Sequence, residues 1–124
     1  MMTGEVVMLH LLLRVPIGAQ SSAEAVGEFV IDTGFTGDLM MPTDEVLLLN
    51  LPFDEDSVNT LANGQMIMLQ RYDAVIRWEG EEKAVKVIAG GERRLLGTRL
   101  LAGYDVLAQF VENGVVQIKP HGSE

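Results

Sequence analysis

The tripeptide Asp32-Thr33-Gly34 is the one place in this sequence where the residue types suit catalysis. Its carboxylate follows the apolar run Phe29-Val30-Ile31, which is typical of a buried strand. A buried strand rarely ends in a charge unless another group pairs with that charge or chemistry uses it. Thr33 and Gly34 supply the small hydroxyl and the permissive backbone of a tight turn, and Phe35-Thr36-Gly37 continues the loop. The carboxylate therefore either caps the turn through its own backbone or acts as a general acid or base.

The composition argues against most other kinds of site. The chain has no cysteine, which excludes disulfides, thiol nucleophiles and cysteine-ligated zinc. Its two histidines, His10 and His121, are far apart in sequence, so a Ser/His/Asp triad or a histidine metal site is poorly supported. We therefore expect no metal and no cofactor. The net charge of −9 argues against nucleic acid and anionic membrane surfaces as partners.

Length and composition predict a single domain over residues 1–124. Hydrophobic residues make up 48% of the chain, which is enough to build a core. No apolar run approaches the roughly 20 residues that cross a bilayer. The apolar stretch over residues 6–15 contains His10 and Arg14 and lacks the features of a targeting signal. We expect a cytoplasmic protein.

Turn-forming residues divide the first half of the chain into short elements. The pattern predicts one long bent strand over residues 5–17, a loop over 20–25, a strand over 28–32 and a short apolar run over 38–41. Thr43-Asp44-Glu45 then indicates the start of a helix, with Thr43 as its cap. Asn50 and Pro52 keep that helix short.

The second half of the chain predicts three hairpins and one helix. Asn63-Gly64, the dipeptide that most favours a two-residue turn, separates strands over 58–62 and 65–69. The other hairpins join 72–78 to 83–89 and 105–111 to 115–119, and a helix covers 95–102. So many short strands predict a mostly β fold, a small barrel or sandwich with a short helix.

Three motifs, in this order, resemble the single-domain retropepsin-like aspartic proteases, and above all the short predicted aspartyl proteases of bacteria and archaea. They are Asp32-Thr33-Gly34 on an early strand, the hairpin at Asn63-Gly64, and Leu95-Leu96-Gly97 before a short helix. In that family a second element, two hydrophobic residues and a glycine, crosses behind the Asp-Thr-Gly loop, and Leu95, Leu96 and Gly97 fit it. The likeness covers residues 5–118 and implies an acid-protease fold that forms one half of a twofold dimer.

The chemistry of that family needs two carboxylates, one to activate a water and one to protonate the carbonyl oxygen of the peptide bond. Carboxylates held a few ångströms apart share one proton and titrate as a pair. The sequence has only one Asp-Thr-Gly, and no other aspartate is followed by Thr-Gly or Ser-Gly. The second Asp32 must then come from a second subunit across a twofold axis.

The resemblance also implies roles for the neighbouring residues. It assigns Thr33 to a hydrogen bond between the subunits and Gly34 to backbone contact with the substrate. Phe35 and Thr36 would border the substrate cleft. Asn63, Gly64 and Gln65 would form the tip of a flap that closes over a peptide and excludes water.

Some residues depart from the family pattern. Phe35 stands where the family usually has Ala or Ser, and its bulk is expected to narrow the cleft. Thr36 and Gly37 stand where the retroviral enzymes have acidic residues, and Asp38 comes one position later. The hairpin around Asn113-Gly114 is longer than the single terminal strand of the retroviral enzymes, so we expect rearranged dimer contacts there.

The main functional prediction is an aspartic endopeptidase that acts as a homodimer on peptide or protein substrates. The alternative, favoured by Phe35, is a non-catalytic dimeric module that binds peptides in the same cleft. A third possibility is a small β-barrel domain cut from a larger protein. We expect the other conspicuous side chains to be structural: Met40, Met41, Met66 and Met68 in the core or cleft wall, Trp78 on a sheet face, His10 in a strand, and Arg93, Arg94 and Arg99 in solvent or ion pairs.

Overall fold

The computed structural model describes residues 1–123, which form ten strands and two short helices. The elements are β1 (Met2–Val7), β2 (His10–Gly18), β3 (Ala25–Ile31), β4 (Leu39–Met41), α1 (Thr43–Leu48), β5 (Phe53–Thr60), β6 (Met66–Trp78), β7 (Glu81–Ala89), β8 (Leu95–Leu96), α2 (Thr98–Leu101), β9 (Tyr104–Ala108) and β10 (Val115–Pro120). The prediction of a mostly β fold is confirmed. No helix in the described part of the chain is long and apolar enough to cross a membrane.

The strands form one sheet in the order β5-β6-β7-β4-β8-β3-β2-β1-β10-β9. A further pairing between β6 and β2 closes β6, β7, β4, β8, β3 and β2 into a ring of six strands. The β3–β8 and β4–β7 pairs are parallel, and the other pairs are antiparallel. This topology brings the end of β3, where Asp32 follows, beside β8.

The core is apolar and continuous. Alternation along β3 buries Phe29 and Ile31 and leaves Glu28 exposed, as a strand with one face on the core requires. Phe29 belongs to one core cluster that includes other fully buried side chains, namely Leu39, Ile76, Val87, Leu96 and Ile118. Burying such side chains is the main source of stability in a domain of this size. The end of β3 is therefore a rigid support for the residue that follows it.

The two terminal strands pair with each other inside one chain. β1 lies between β2 and β10, with Met2 opposite Ile118 and Glu5 opposite Val115. β10 in turn lies between β1 and β9. β10 is thus paired on both edges within the subunit, whereas β1 pairs with β10 over residues 2–5 and with β2 over residues 5–7.

The predicted single strand over residues 5–17 is wrong, because the chain reverses at Met8 and Leu9. Val7 pairs with His10, and both turn residues are left-handed, with φ of 50° for Met8 and 66° for Leu9. A two-residue turn of this kind matches the twist of its strands but normally contains Asn or Gly. Met-Leu carries no such signal, so the apolar pattern alone favours one continuous strand.

The predicted hairpins also differ in detail. The stretches 65–69 and 72–78 are one strand, β6, which pairs with β5 along its first half and with β7 along its second. The turn at Asn63-Gly64 has three residues rather than two. The amide of Leu61 donates to the Gln65 carbonyl (2.7 Å), the amide of Gly64 donates to the Leu61 carbonyl (2.9 Å), and Gly64 alone is left-handed (φ 86°). This is a type I turn followed by a bulge.

Two helix boundaries were also predicted wrongly. Leu95 and Leu96 belong to strand β8, and α2 begins only at Thr98. Thr43 is the first residue of α1, and Pro42 precedes it as an N-cap without a side-chain hydrogen bond. A proline suits the start of a helix because its backbone has no N–H to satisfy.

The four methionines also divide differently from the prediction. Met41 is buried, and Met40 is half-buried on the wall of a cavity. Met66 and Met68 are exposed and do not line the cavity, so they do not belong to the core or to this cavity wall as predicted. They lie on the outer face of the β5–β6 hairpin. A hairpin that forms a single layer of sheet can bury only one of its two faces.

Candidate functional site

Asp32 is held by the pairing of β3 with β8. Ile31 lies opposite Leu96 in the parallel ladder. The next amide, that of Asp32, donates to the Leu96 carbonyl at 2.9 Å. The backbone of the carboxylate-bearing residue is therefore anchored to a neighbouring strand, although its side chain lies in the loop.

The loop closes tightly around the carboxylate. The Gly34 amide donates to Asp32 Oδ1 at 2.8 Å, and the Phe35 amide donates to the Asp32 carbonyl at 3.1 Å. One carboxylate oxygen thus caps the turn, as the first of the two sequence interpretations predicts. The side chain is still partly exposed, and no cationic side chain in residues 1–123 forms an ion pair with it. Capping of the turn by Oδ1 leaves Asp32 able to act as a general acid or base, because Oδ2 remains available.

The segment from Gly97 to Arg99 lies against the same loop. The Gly97 amide donates to the Asp38 carbonyl (2.9 Å), and the Thr98 amide donates to the Phe35 carbonyl (2.9 Å). The Arg99 amide donates to the Gly37 carbonyl at 3.3 Å. The structure thus brings Leu95-Leu96-Gly97 and the Asp32 loop together through their backbones.

Phe35 fills the space between these two segments. A Cβ on Gly97 would lie 2.7 Å from the Phe35 ring and 2.6 Å from the Phe35 carbonyl. A Cβ on Gly37 would lie 2.7 Å from the tip of the same ring. The half-buried phenyl ring therefore serves as packing for the loop, and the two glycines leave room for it.

A cavity of about 390 Å³ opens beside the Asp32 loop. Residues 34–38 form one side of it, and residues 57–61 of the β5–β6 hairpin form the other. Apolar side chains of Met40, Leu69 and Ile88 contribute to its wall. Its size suits one or two amino-acid side chains, and polar and charged groups share its wall with these apolar side chains.

The residues expected to form a flap tip lie away from this cavity. Asn63, Gly64 and Gln65 are exposed, and none of them lines the cavity. The tip is held by its own hydrogen bonds, from the Gln65 amide to Asn63 Oδ1 (3.0 Å) and from Asn63 Nδ2 to Gln65 Oε1 (3.2 Å). Thr33 is exposed and also lies outside the cavity, whereas Thr36 lines it.

Charged side chains at the base of the flap form a network across β5, β6 and β7. Arg71 Nε donates to Asp54 Oδ2 at 2.7 Å and also pairs with Glu55. Lys86 Nζ contacts Asp73 (2.5 Å) and Asp54 (3.3 Å). The hydrogen bond that Arg71 donates to Asp54 holds the pKa of Asp54 below its ordinary value, and the hydrogen bond that Lys86 donates to Asp73 raises the pKa of Lys86. The network links the root of the flap to the cavity wall.

Sequence reasoning missed the charged groups of this cavity. Arg71, Lys86 and Arg99 line it together with Asp38. Asp38 Oδ2 accepts a hydrogen bond from the Lys86 amide (3.0 Å), and Arg99 Nε is 3.9 Å from Asp38 Oδ1. Asp38 was noticed only as an acid one position later than expected. Arg71 and Lys86 are isolated in sequence, and the pairing of β6 with β7 brings them together, whereas Arg99, expected in solvent or an ion pair, reaches the cavity from α2.

The other arginines do not form one patch. Arg94 pairs with Glu45 at 2.5 Å, and Arg93 lies 2.9 Å from the ring of His10 at the start of β2. Trp78 packs edge-on against Tyr104, with ring centroids 5.7 Å apart. Among residues 1–123, no group of three or more His, Cys, Asp or Glu side chains is placed to hold a metal ion.

Comparison with known proteins identifies the fold. No protein-family model and no curated protein matches the sequence. Among solved structures, the EIAV protease in complex with the inhibitor HBY-793 superposes with a TM-score of 0.61 at 14% identity, covering 75% of this chain and 86% of that one. A retropepsin-like aspartic protease from Rickettsia conorii gives 0.59 at 15% identity, covering 94% and 88%.

Proposed function

We infer the function of this chain from its retropepsin-like fold. We propose that the protein is an aspartic endopeptidase that acts as a homodimer, with one Asp32 from each subunit. The observation that carries the proposal is the position of Asp32, whose backbone is anchored to Leu96 while its carboxylate stays partly exposed and without a cationic partner among the described residues.

Two such carboxylates can supply the general base and the general acid of peptide hydrolysis. One Asp32, ionised, takes a proton from the attacking water, and the other, protonated, gives its proton to the carbonyl oxygen. The amide of Gly34 already orients Oδ1, so little reorganisation is needed when the second subunit arrives. In this proposal Thr33 bonds across the subunits, and Gly34 contacts the substrate backbone.

The cavity and the flap supply the binding site in this proposal. Phe35, Thr36 and the apolar wall take up substrate side chains beside the cleavage point. In this proposal the tip at Asn63, Gly64 and Gln65, which is exposed and outside the cavity, moves toward the bound peptide. No metal or cofactor enters this chemistry.

The alternative function is a non-catalytic dimeric module that binds peptides in the same cleft. Phe35 favours it, because this ring lines the cavity where the family usually has Ala or Ser. The packing of the ring against Gly37 and Gly97 argues against this alternative, since it gives Phe35 a structural role in the loop.

The test is the substitution Asp32→Asn, assayed on a denatured protein substrate. It keeps the size of the side chain and an oxygen for the Gly34 amide but removes the proton-transfer group. Cleavage should fall about 10³-fold or more, because both the acid and the base are lost. Asp56→Asn is the matched control, since Asp56 is exposed and forms no ion pair in the described chain. Equal cleavage by the Asp32→Asn variant and the parent would refute the proposal, whereas peptide binding without cleavage by the parent would indicate the module.

A further inference from the structure

Two turns at one end of the terminal strands expose large apolar side chains. Met8 and Leu9, in the β1–β2 turn, are 77% and 70% exposed. Phe110 and Val111, in the β9–β10 connection, are 62% and 63% exposed. We call these four residues the turn surface. Apolar side chains gathered in this way mark contact surfaces, whereas single exposed ones need no explanation.

The β1–β2 turn holds Met8 and Leu9 in a strained backbone conformation. Met8 and Leu9 are both left-handed, a conformation that side chains with a Cβ adopt reluctantly. Asn-Gly would form the same turn without strain. Strained backbone of this kind is concentrated at sites of function. Two bulky apolar residues at such positions therefore indicate that their side chains have a role in binding.

The two turns form one unit. The Met8 amide donates to Glu112 Oε1 at 3.2 Å. The amide of Asn113 donates to the Val6 carbonyl (2.8 Å), and the Val6 amide donates to the Gly114 carbonyl (2.8 Å). The β1–β2 turn and the β9–β10 connection are thus tied together, and a partner would meet them as one surface.

The turn surface lies at the same end of the sheet as Asp32. The register of β2 and β3 places Leu12 opposite Val30, so β2 begins at His10 where β3 gives way to Asp32. The Met8-Leu9 turn lies just before His10 and therefore projects from the same end, one strand away from the Asp32 loop. A molecule that approaches Asp32 along the strand direction meets this turn.

We propose that the turn surface is the docking site for a second copy of this chain, which brings its own Asp32 opposite the first. The inference rests on the proposed function, because a site with one carboxylate is incomplete without the partner subunit. Exchange of terminal strands between subunits would break pairing already made within the subunit, since β10 pairs with both β1 and β9, and β1 pairs with β10 over residues 2–5 and with β2 over residues 5–7.

The outer edge of β9 is the rival surface, with Val106 and Leu107 exposed along it. The strands β3, β2, β1, β10 and β9 are consecutive, so four spacings of about 4.8 Å place β9 about 19 Å from the strand that leads to Asp32. Pairing of two β9 edges would hold the two Asp32 residues about twice that distance apart. Such a dimer could not form a shared carboxylate pair.

The double substitution Met8→Asn with Leu9→Gly tests the proposal without damaging the turn. Asn-Gly suits a left-handed two-residue turn, so each subunit should fold at least as well as the parent. The loss of two apolar side chains should weaken dimerisation about 100-fold in sedimentation equilibrium. Cleavage per subunit should fall at low protein concentration and recover as the concentration rises. Leu48→Asn is the matched control, because Leu48 is 80% exposed on α1 and lies outside the turn surface.

Each outcome bears on one of the two proposals. A double variant that dimerises as tightly as the parent, or a parent that is monomeric at every concentration, would overturn the interface. Dimerisation lost in Leu107→Asn but kept in the double variant would assign the interface to β9. Asp32→Asn should dimerise normally, because it leaves the turn surface intact. If it also cleaves normally, the proposed function fails while the interface stands.

Discussion

The ring of Phe35 occupies the space that a side chain on Gly97 would fill. A Cβ on Gly97 would also collide with two backbone carbonyls, those of Gly37 and Phe35. The Asp32 loop and the segment leading into α2 therefore meet backbone to backbone, and the hydrogen bonds from Gly97 and Thr98 lie across this contact. The close approach is what keeps the loop of the proposed catalytic residue in place.

Gly97→Ala should consequently destabilise the protein through steric overlap. We expect the free energy of unfolding to fall by about 2–3 kcal/mol, because backbone carbonyls cannot move aside as a flexible side chain can. Urea unfolding at one fixed protein concentration measures the change. The double variant with Phe35→Ala should show no rescue, since the carbonyl contacts remain. Full rescue would mean that the ring alone restricts residue 97.

Phe35→Ser tests how far this residue limits activity. Removing a half-buried ring should lower the free energy of unfolding by about 2 kcal/mol, less than the loss for a fully buried phenylalanine. Cleavage should persist, with kcat/KM shifted toward substrates with larger side chains because the cavity widens. A series of peptides that differ at one position measures the shift. Cleavage that appears only in the variant would identify the parent as the peptide-binding module.

The ion-pair network at the base of the flap predicts a specific acid dependence of stability. The pKa of Asp54 is lowered in the folded state, chiefly by the hydrogen bond from Arg71. A lowered pKa stabilises the fold above the unfolded value of about 3.9, and this contribution is lost as the pH falls through the folded value. Asp54→Asn should therefore be less stable than the parent at pH 7, and the difference should vanish in strong acid.

The measurement is urea unfolding of both proteins between pH 7 and pH 2. Asp56→Asn is the control on the same strand, because Asp56 forms no ion pair in residues 1–123, and it should follow the parent at every pH. A difference between Asp54→Asn and the parent that stays constant into strong acid would show that the Asp54–Arg71 pair does not contribute through its charge.

Local signals were enough to predict the parts of the fold that depend on neighbouring residues. The apolar run before Asp32 predicted a buried strand, and β3 ends one residue before that aspartate. Gly64 and Gly80 marked two turns, and both are left-handed. Leu95-Leu96-Gly97 was linked to the Asp32 loop only through a family resemblance, since nothing in its own sequence specifies a parallel pairing with β3.

Features that depend on distant residues could not be predicted in this way. The Met8-Leu9 turn is held by pairing across β1 and β2 and by Glu112, about a hundred residues later, so its own residues give no turn signal. The grouping of Arg71 and Lys86 at the cavity follows from the register of β6 and β7. Long-range pairing overrides local preference in sheets, which is why these groups were missed.

Gly64 and Gly80 offer a matched pair for testing the flap. Both are left-handed, with φ of 86° and 81°, and a Cβ on either would meet no atom within 4 Å. Gly64→Val and Gly80→Val should therefore each cost about 1–2 kcal/mol of local strain. Neither substitution adds steric overlap, so the two variants differ only in the turn that they change. Gly64 is at the flap tip between β5 and β6, whereas Gly80 is in the turn between β6 and β7.

Only the Gly64 substitution should impair catalysis, because closure of the tip over a peptide needs that turn to adapt. We expect kcat/KM on a denatured protein substrate to fall about tenfold in Gly64→Val and to stay near the parent value in Gly80→Val. Sedimentation should show both variants as dimers, since neither residue belongs to the turn surface. Equal losses in the two variants would attribute the effect to general destabilisation, and no loss in either would mean that the β5–β6 hairpin does not act as a flap.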